Sequence, residues 1–267
     1  MSDERINSAT GHGLLAGKAG LVTGGAAGLG RAIVLAACAE GAAVVAFDRD
    51  ADLGPATVAE AVSAGGRAVF HEGDVTREED VVAAIQRSQD EFGAFNILDN
   101  NAGIALEKRL HDTSAAEWDS IIEVNLKGAF YGCKHGVIAM RAAGGGSIVN
   151  TGSIVSLVGD PNLPAYATTK TGLVGLTRVI AVDYAEDGIR CNIVCPGDML
   201  TPMVQRTFDL ADDPAAARRA MESAYPVKRI ADPAEVAGAV VFLLSDASSF
   251  MTGAQLVVDG GLTVKCY

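Results

Sequence analysis

The sequence predicts a doubly wound α/β fold, in which a parallel sheet of seven strands forms a single domain. Short apolar, β-branched runs alternate with longer stretches of helical periodicity along the chain. Continuous apolar strands joined by helices are typical of a parallel sheet that is covered on both faces. No linker, internal repeat or low-complexity block divides the 267 residues, and a hydrophobic content of 49% provides for one large core.

Seven runs have the length and composition of buried strands. Each is followed at once by Gly, Asp, Asn or Pro, which favour turns. In chain order, the predicted strands are Ala19–Thr23, Ala43–Phe47, Ala68–Glu72, Phe95–Asp99, Ser147–Thr151, Cys191–Cys195 and Gln255–Asp259.

Between these strands, several helix starts are marked by a hydroxyl or carboxylate three residues before a glutamate. This pattern predicts capping boxes at Thr76, Ser114 and Asp232, the last with a proline at the first helical position. Two longer helices are predicted at 118–140 and 166–184. Both are apolar or small on more than one face, which predicts a homo-oligomer, most simply a homotetramer.

The chain divides into a short tail and one domain. Residues 1–13 are polar and acidic, which predicts a disordered N-terminal tail without a secretory signal. The domain spans 14–267, and its one long irregular segment, 196–230, predicts a substrate lid around 198–228. The longest apolar stretch, 32–39, is too short to cross a bilayer.

The charge balance excludes some classes of partner. A formal net charge of -12 and a pI near 4.7 oppose nonspecific attraction to nucleic acid or to anionic membranes. The four histidines lack the spacing of metal ligands, so no metal site is expected. The five cysteines form no CxxC pair, which predicts reduced thiols and a cytoplasmic location.

A glycine-rich turn follows the first predicted strand and leads directly into a helix. Gly24 permits the tight turn, Gly28 lets the backbone approach a phosphate, and Gly30 allows close helix packing. The free N–H groups and positive dipole end of the helix favour an anion. Strand, turn and helix in this order predict a Rossmann-like dinucleotide site, although glycines in such a turn also serve packing alone.

The second predicted strand ends at Asp48, eighteen residues beyond Gly30. A carboxylate there accepts hydrogen bonds from ribose hydroxyls and repels a 2′-phosphate, so NAD is predicted over NADP. Arg49 is the opposing consideration, because a neighbouring arginine sometimes accommodates that phosphate. A turn-forming aspartate is the simpler alternative.

Tyr166 and Lys170 lie one helical turn apart, and Ser153 lies thirteen residues upstream of the tyrosine. A phenol with an ordinary pKa near ~10 is a poor base at neutral pH. A lysine at i+4 is expected to depress that pKa by on the order of two units. The pair alone is common on solvated helix faces, so the interpretation depends on the rest of the chain.

With Asn100–Gly103, Asn125 and Pro196–Gly197 added to these motifs, the chain resembles the compact branch of the short-chain dehydrogenase/reductase family from about residue 15 to 261. The resemblance implies catalysis by Asn125, Ser153, Tyr166 and Lys170. It also implies a cofactor-binding set of Gly24, Gly28, Leu29, Gly30, Asp48, Asp74, Val75, Asn101, Ala102, Gly103, Tyr166, Lys170, Pro196, Gly197, Met199 and Thr201.

Within that set, the resemblance assigns proton exchange to Tyr166, the substrate oxygen to Ser153, and the nicotinamide ribose to Lys170. Asn125 would hold a water, and Thr201 would reach the carboxamide. Structural alternatives remain for the outer members. Asn125 would otherwise be a core asparagine, Asp74 a helix cap, and Thr201 a helix N-cap.

The resulting prediction is an NAD-dependent oxidoreductase that interconverts a secondary alcohol and a ketone. Two alternatives remain, an NADPH-dependent β-ketoacyl-carrier-protein reductase and a non-catalytic dinucleotide-sensing module. The substrate is predicted to be uncharged and largely apolar, an alicyclic, aryl or steroid-like compound, with Asp198 contacting one extra hydroxyl. The residues expected to form its apolar pocket are Ile154, Val155, Leu157, Val158, Met199, Leu200, Met203, Val204, Phe208 and Leu210.

Overall fold

The computed structural model describes residues 13–266, so the predicted disordered tail lies almost entirely outside the described residues. A single parallel sheet of seven strands runs through the domain in the order β3-β2-β1-β4-β5-β6-β7. The strands are β1 Ala19–Thr23, β2 Ala43–Asp48, β3 Arg67–Glu72, β4 Ile97–Asn100, β5 Gly146–Thr151, β6 Ile189–Pro196 and β7 Gln255–Val258. All seven predicted strands are confirmed, with bounds shifted by at most two residues.

Helices cover both faces of this sheet. They are α1 Gly28–Ala39, α2 Leu53–Ser63, α3 Glu78–Phe92, α4 Ala115–Ile122, α5 Gly128–Ala143, α6 Pro164–Asp183, α7 Pro202–Asp209, α8 Pro214–Ala224 and α9 Pro233–Leu244. One buried cluster joins α1 and α9 to side chains such as Val22, Ile97 and Val149. A second joins α3, α5 and α6 to Leu21 and Leu98. Because side chains alternate along a strand, neighbouring residues enter opposite layers.

Two predicted capping boxes are confirmed and one is wrong. The hydroxyl of Ser114 accepts from the Glu117 amide, and Asp232 caps α9 in the same manner with Glu235. At Thr76 there is no box, because α3 begins after Arg77 without a side-chain cap. The Thr76 hydroxyl instead donates to Asp74 Oδ1 at 2.9 Å.

Two further elements differ from the sequence prediction. The single helix expected at 118–140 is α4 followed by α5, with a π-helical turn, Glu123–Lys127, between them. The segment expected to be irregular contains α7 and α8. Each of these helices starts with a proline after a capping side chain, which is Thr201 for α7 and Asp213 for α8.

The position of β1 determines where a site forms. Its neighbours are β2 on one side and β4 on the other, so the direction of winding reverses there. In open α/β sheets a crevice opens at this point, outside the carboxyl ends of the strands. Within residues 13–266, no helix is both long enough and apolar enough to cross a membrane.

Candidate active site

A cleft opens at the carboxyl ends of β1, β4, β5 and β6, and an adjoining pocket extends it past β2 and β3. Most of the predicted site residues line one or both. In the cleft are Gly24, Gly28, Leu29, Asp48, Asn101, Ala102, Gly103, Ser153, Tyr166, Lys170, Pro196, Gly197, Met199 and Thr201. Asp74 and Val75 line the adjoining pocket. Gly30 and Asn125 line neither, and both lie behind the walls.

The glycine-rich turn provides a site for an anion. Gly24 and Gly28 have φ angles of 68° and 54°, a conformation that L side chains rarely adopt. Helix α1 begins at Gly28 beside the cleft, and its N-cap residue Ala27 makes no side-chain cap, so within residues 13–266 no capping side chain takes up the first amides of the helix. A Cβ at Gly30 would overlap the Gly24 carbonyl, so that glycine serves packing rather than ligand contact.

Asp48 is held in place at the end of β2. Its Oδ2 accepts from the Ala26 amide at 3.0 Å, and its Oδ1 accepts from the Asp50 amide at 3.1 Å. The carboxylate therefore has a fixed orientation beside the glycine-rich turn, where it borders both the cleft and the adjoining pocket. Arg49 is exposed and lines only the adjoining pocket.

Thr23 joins the glycine-rich turn to the segment after β4. Its hydroxyl accepts from the amides of Asn101 and Ala102, both at 3.0 Å, and Asn101 Nδ2 donates to the Thr23 carbonyl at 3.0 Å. Sequence reasoning gave Thr23 no role of its own. Its position at the end of the first strand, opposite an Asn-Ala-Gly turn, was the available indication.

Ser153 and Tyr166 come from two different elements. Ser153 follows β5, where its hydroxyl accepts from the Val155 amide at 3.3 Å and opens a short 3-10 turn. Tyr166 is the third residue of α6. Desolvation by the surrounding walls raises the pKa of Tyr166 to about 12, with the Ser153 hydroxyl opposing this rise and the Asp198 carboxylate adding to it.

The expected net lowering of the Tyr166 pKa is therefore wrong, because desolvation outweighs the charges nearby. The Lys170 side chain is buried, and its Nζ donates to the Thr151 carbonyl at 2.7 Å rather than to the phenol. Nζ lies 5.5 Å from the centre of the Tyr166 ring. Burial lowers the pKa of Lys170 to about 8, and the charge of Asp99 opposes that shift.

Asn125, like Gly30, does not line the cleft directly. It lies in the π-helical turn, where its Oδ1 accepts from the Ile104 amide at 2.8 Å and its Nδ2 donates to the Ile104 carbonyl at 2.9 Å. A Cβ at Gly103 would lie 3.4 Å from both Asn125 Oδ1 and Lys170 Nζ. Any side chain at this position would therefore contact both polar groups.

Asp74, in the adjoining pocket, and Thr201, in the cleft, take part in local structure as well as lining these pockets. Asp74 Oδ1 accepts from the Thr76 amide at 2.9 Å, which shapes the turn before α3. Thr201 is the N-cap of α7, and its hydroxyl accepts from the Val204 amide at 3.4 Å. The helix-cap alternative is thus present for Thr201 but not for Asp74, whose carboxylate accepts in the turn before α3 instead of capping the helix.

The predicted apolar pocket is smaller than expected. Met199 and Met203 line the cleft. Phe208 is instead buried against the domain, Leu210 is exposed, and Ile154 and Val155 pack inward. Phe208 thus holds the segment onto the domain rather than facing a ligand.

Asp198 is turned away from the cleft, and the expectation that it contacts a substrate hydroxyl is not supported. The Tyr225 hydroxyl donates to Asp198 Oδ2 at 2.8 Å and accepts from the Asp198 amide at 2.6 Å. Both residues line a separate pocket with Arg229 and Asp259. Sequence reasoning missed Tyr225, because nothing in the chain pattern links it to Asp198, which lies 27 residues away.

Comparison with known proteins identifies the family. Residues 24–263 match a family model described as enoyl-(acyl carrier protein) reductase. A solved structure from Burkholderia xenovorans, assigned to the short-chain dehydrogenases/reductases, matches with a TM-score of 0.92 at 35% identity and covers 96% of this chain and 100% of its own. The chain belongs to the short-chain dehydrogenase/reductase family.

Curated relatives within this family are named as dehydrogenases. The 2-(S)-hydroxypropyl-CoM dehydrogenase 3 of Xanthobacter autotrophicus is 42% identical over 91% of this chain and 95% of its own length. The cyclohexanol dehydrogenase of an Acinetobacter species is 39% identical over 93% of this chain and 96% of its own. This short-chain dehydrogenase/reductase is an oxidoreductase of alcohols and ketones that uses a nicotinamide dinucleotide.

Proposed function

We propose that the protein is an NAD-dependent dehydrogenase of small, largely apolar cyclic secondary alcohols, working reversibly on the matching ketones. One observation carries the proposal. Ser153, Tyr166 and Lys170 converge on one end of a single cleft, and the fixed carboxylate of Asp48 borders the other end. An acid/base group and a ribose-binding group at opposite ends of one crevice fit hydride transfer to a dinucleotide.

The described residues fit the cofactor that this reaction needs. The first amides of α1, at Gly28 and Leu29, suit a pyrophosphate. No N-cap side chain of α1 competes with that anion for their N–H groups. Asp48 suits the adenosine ribose, and Asp74 and Val75 border the adenine side. When bound, the nicotinamide supplies the hydride acceptor or donor.

The residues of the chain handle the proton. Ser153 presents a hydroxyl to the substrate oxygen, and Tyr166 holds the proton that is exchanged with it. The Lys170 ammonium, whose Nζ lies 5.5 Å from the centre of the Tyr166 ring, attracts the phenolate that forms when Tyr166 loses its proton. At an effective dielectric constant of ~20 this interaction is worth about 3 kcal/mol, or roughly a hundredfold in rate. Lys170 therefore contributes chiefly when Tyr166 gives up its proton.

NAD is favoured over NADP by the position of Asp48. Two backbone amides hold the carboxylate beside the turn, so it cannot swing aside to admit a phosphate without losing both hydrogen bonds. A 2′-phosphate in this place would meet an unshielded negative charge. Arg49 is exposed at the neighbouring position and provides no fixed counter-charge.

The substrate class follows from the lining and from the relatives. Met199 and Met203 provide an adaptable apolar surface beside the catalytic groups. The cyclohexanol dehydrogenase among the relatives is named for a neutral cyclic alcohol. The hydroxypropyl-CoM enzyme is named for a different kind of alcohol, so the test extends beyond neutral cyclic alcohols to a charged compound.

The test is a panel of alcohols, namely cyclohexanol, cyclopentanol, linear 2-alkanols and a sugar phosphate, each assayed with NAD+ and with NADP+. We expect kcat/KM to be highest for a cyclic alcohol with NAD+, and Asp48→Ala to narrow the preference for NAD. A preference for NADP+ in the wild type would contradict the assignment of Asp48. A higher kcat/KM for the sugar phosphate than for the cyclic alcohols would contradict the proposal of an apolar substrate site.

Two controls separate the alternatives. Tyr166→Phe is expected to abolish turnover while dinucleotide binding is kept, because it removes the transferable proton and little volume. A β-ketoacyl thioester with NADPH tests the carrier-protein reductase alternative. The sensing alternative predicts no turnover in any arm, and it would be supported only if the wild type and Tyr166→Phe behaved alike.

We further propose a homotetramer, a cytoplasmic location and a substrate lid around 198–228, the segment from which Met199 and Met203 line the cleft. Phe130, Ile138, Val179 and Val182 lie exposed on α5 and α6, which supports pairing through these helices. Of the cysteines in the described residues, Cys266 is exposed and the others are buried, and all are free, as expected in a reducing compartment. Sedimentation at micromolar concentration tests the assembly, and a monomer would contradict it.

A further inference from the structure

Asp99 is a buried carboxylate that the proposed reaction does not use. It lies in β4, two residues before the Asn101 and Ala102 wall of the cleft, and none of its surface is exposed. Within residues 13–266 neither of its carboxylate oxygens has a hydrogen-bond partner, although a buried carboxylate normally accepts several. A polar group in such a place has a large energetic cost, which calls for a compensating role.

The surroundings of Asp99 are apolar except in one direction. By strand alternation it shares a face with Ile97, the face covered by α1 and α9. The buried residues of α1 and α9 that cover this part of the sheet, such as Leu29 and Val236, carry no charge. Thr151, on the neighbouring strand β5, lies on the same face of the sheet, two residues beyond the partner of Asp99. Its buried hydroxyl also has no hydrogen-bond partner in the described part of the chain.

Thr151 connects this buried group to the active site. Its hydroxyl favours the ionised form of Asp99, while its carbonyl accepts the hydrogen bond from Lys170 Nζ at 2.7 Å. The titratable groups that act on this ammonium are Asp99 and Cys195, from β4 and β6, together with the Tyr166 ring on its own helix. Among the groups of residues 13–266 that act on Lys170, Asp99 is the only carboxylate.

We propose that Asp99 is a positioning residue for the reaction: it is the counter-charge that keeps the Lys170 ammonium charged as the solution becomes alkaline. The inference rests on the proposed roles of Tyr166 and Lys170. Burial raises the pKa of Asp99 and lowers that of Lys170, to about 8 in both cases, so the two groups titrate as a pair. Once Asp99 is ionised, its charge favours the protonated form of Lys170.

Ketone reduction is the direction that shows this effect. Reduction needs a protonated Tyr166 and a charged Lys170 that stabilises the phenolate as it forms. Tyr166 stays protonated well into the alkaline range, because its pKa is about 12. The alkaline limb of kcat/KM for reduction then reports the loss of the Lys170 proton. A neutral side chain at 99 leaves Lys170 without its counter-charge, so that limb moves to lower pH.

The experiment measures kcat/KM for cyclohexanone with NADH against pH in the wild type, Asp99→Asn, Thr151→Val and Asp246→Asn. We expect the alkaline limb of Asp99→Asn to shift down by about one pH unit, with a smaller shift for Thr151→Val. Asp246, whose side chain is 82% exposed, is the matched control and should leave the profile unchanged. An unshifted limb in folded Asp99→Asn, or an equal loss of activity at every pH, would overturn the proposal.

A second readout does not depend on the substrate. Infrared spectra of the protein with 13C-labelled aspartate, recorded from neutral to alkaline pH, detect the carbonyl band of a protonated carboxyl group. The wild type should show such a band at neutral pH and lose it as the pH rises, and Asp99→Asn should lack it. If cyclohexanone is not reduced at all, the proposed substrate fails while this titration still decides the state of Asp99. A wild type without the band would overturn the proposal.

Discussion

Replacing Asp99 with asparagine should stabilise the protein, and increasingly so as the pH rises from mildly acidic to neutral. The change keeps the shape of the side chain and removes its ability to ionise. In the folded state burial raises the pKa of Asp99 to about 8, whereas in the unfolded chain the group titrates near 3.8. Between these values the folded protein must hold a proton that the unfolded chain releases, so this group makes stability fall as the pH rises.

The magnitude follows from that difference. Each pH unit between the two pKa values lowers the free energy of unfolding of the wild type by about 1.4 kcal/mol relative to the variant. From about pH 6 to about pH 7.5, the advantage of Asp99→Asn should grow by roughly 2 kcal/mol. For a domain of this size that corresponds to roughly 4–8 °C in the difference between the two melting temperatures. Lys170 adds little to this slope, because its pKa lies above that range in the folded as well as in the unfolded state.

The assay is thermal unfolding of the wild type, Asp99→Asn and Asp246→Asn at both pH values, with denaturant unfolding where refolding is reversible. The melting temperature of the Asp246 variant should differ from that of the wild type by the same small amount at each pH. If the advantage of Asp99→Asn were equal at the two pH values, Asp99 would not be protonated in the folded protein. The reasoning from burial would then be refuted.

Two further predictions concern packing and hydrogen bonding around the site. Tyr225→Phe removes the hydroxyl that bonds both the amide and the carboxylate of Asp198, so it should lower the free energy of unfolding by about 2 kcal/mol in denaturant titrations, and an unchanged value would contradict a role for this pair. Gly30→Ala should abolish dinucleotide binding measured by calorimetry, because the new methyl group would overlap the Gly24 carbonyl. The matched change Gly238→Ala in α9 meets nothing within 4 Å and should be neutral or stabilising by about 0.5–1 kcal/mol, so equal damage from both changes would argue against the packing explanation.

The sheet was predictable because its strands carry strong local patterns. Each strand is a short apolar run with a turn residue directly after it, and these features do not depend on distant contacts. The same holds for the boxes at Ser114 and Asp232, where the cap and its glutamate lie within one turn. At Thr76 the pattern was present but Asp74 competed for the hydroxyl, which a local rule does not weigh.

The remaining features depend on contacts between distant parts of the chain. The pKa of Tyr166 follows from burial and from the direction of Lys170 Nζ, which the Thr151 carbonyl sets across 19 residues. The partner of Asp198 comes from a helix end 27 residues away. Spacing along the chain correctly placed Tyr166 and Lys170 in one cleft, but the electrostatics of that cleft depend on the tertiary structure.

The π-helical turn at Glu123–Lys127 has a consequence for the phase of the helix that contains it. A π turn accommodates one residue more than the α-helical turn it replaces. Deleting one residue there would restore a regular helix and rotate α4 relative to α5 by about 100°. The apolar side of α5 faces the core through Cys133 and Met140, whereas α4 is anchored through its Glu117 to Lys108 at 2.9 Å. The extra residue therefore sets the rotation between the two helices, so that the core contacts of α5 and the Glu117–Lys108 ion pair of α4 form together. In the same arrangement the Asn125 side chain binds the Ile104 backbone.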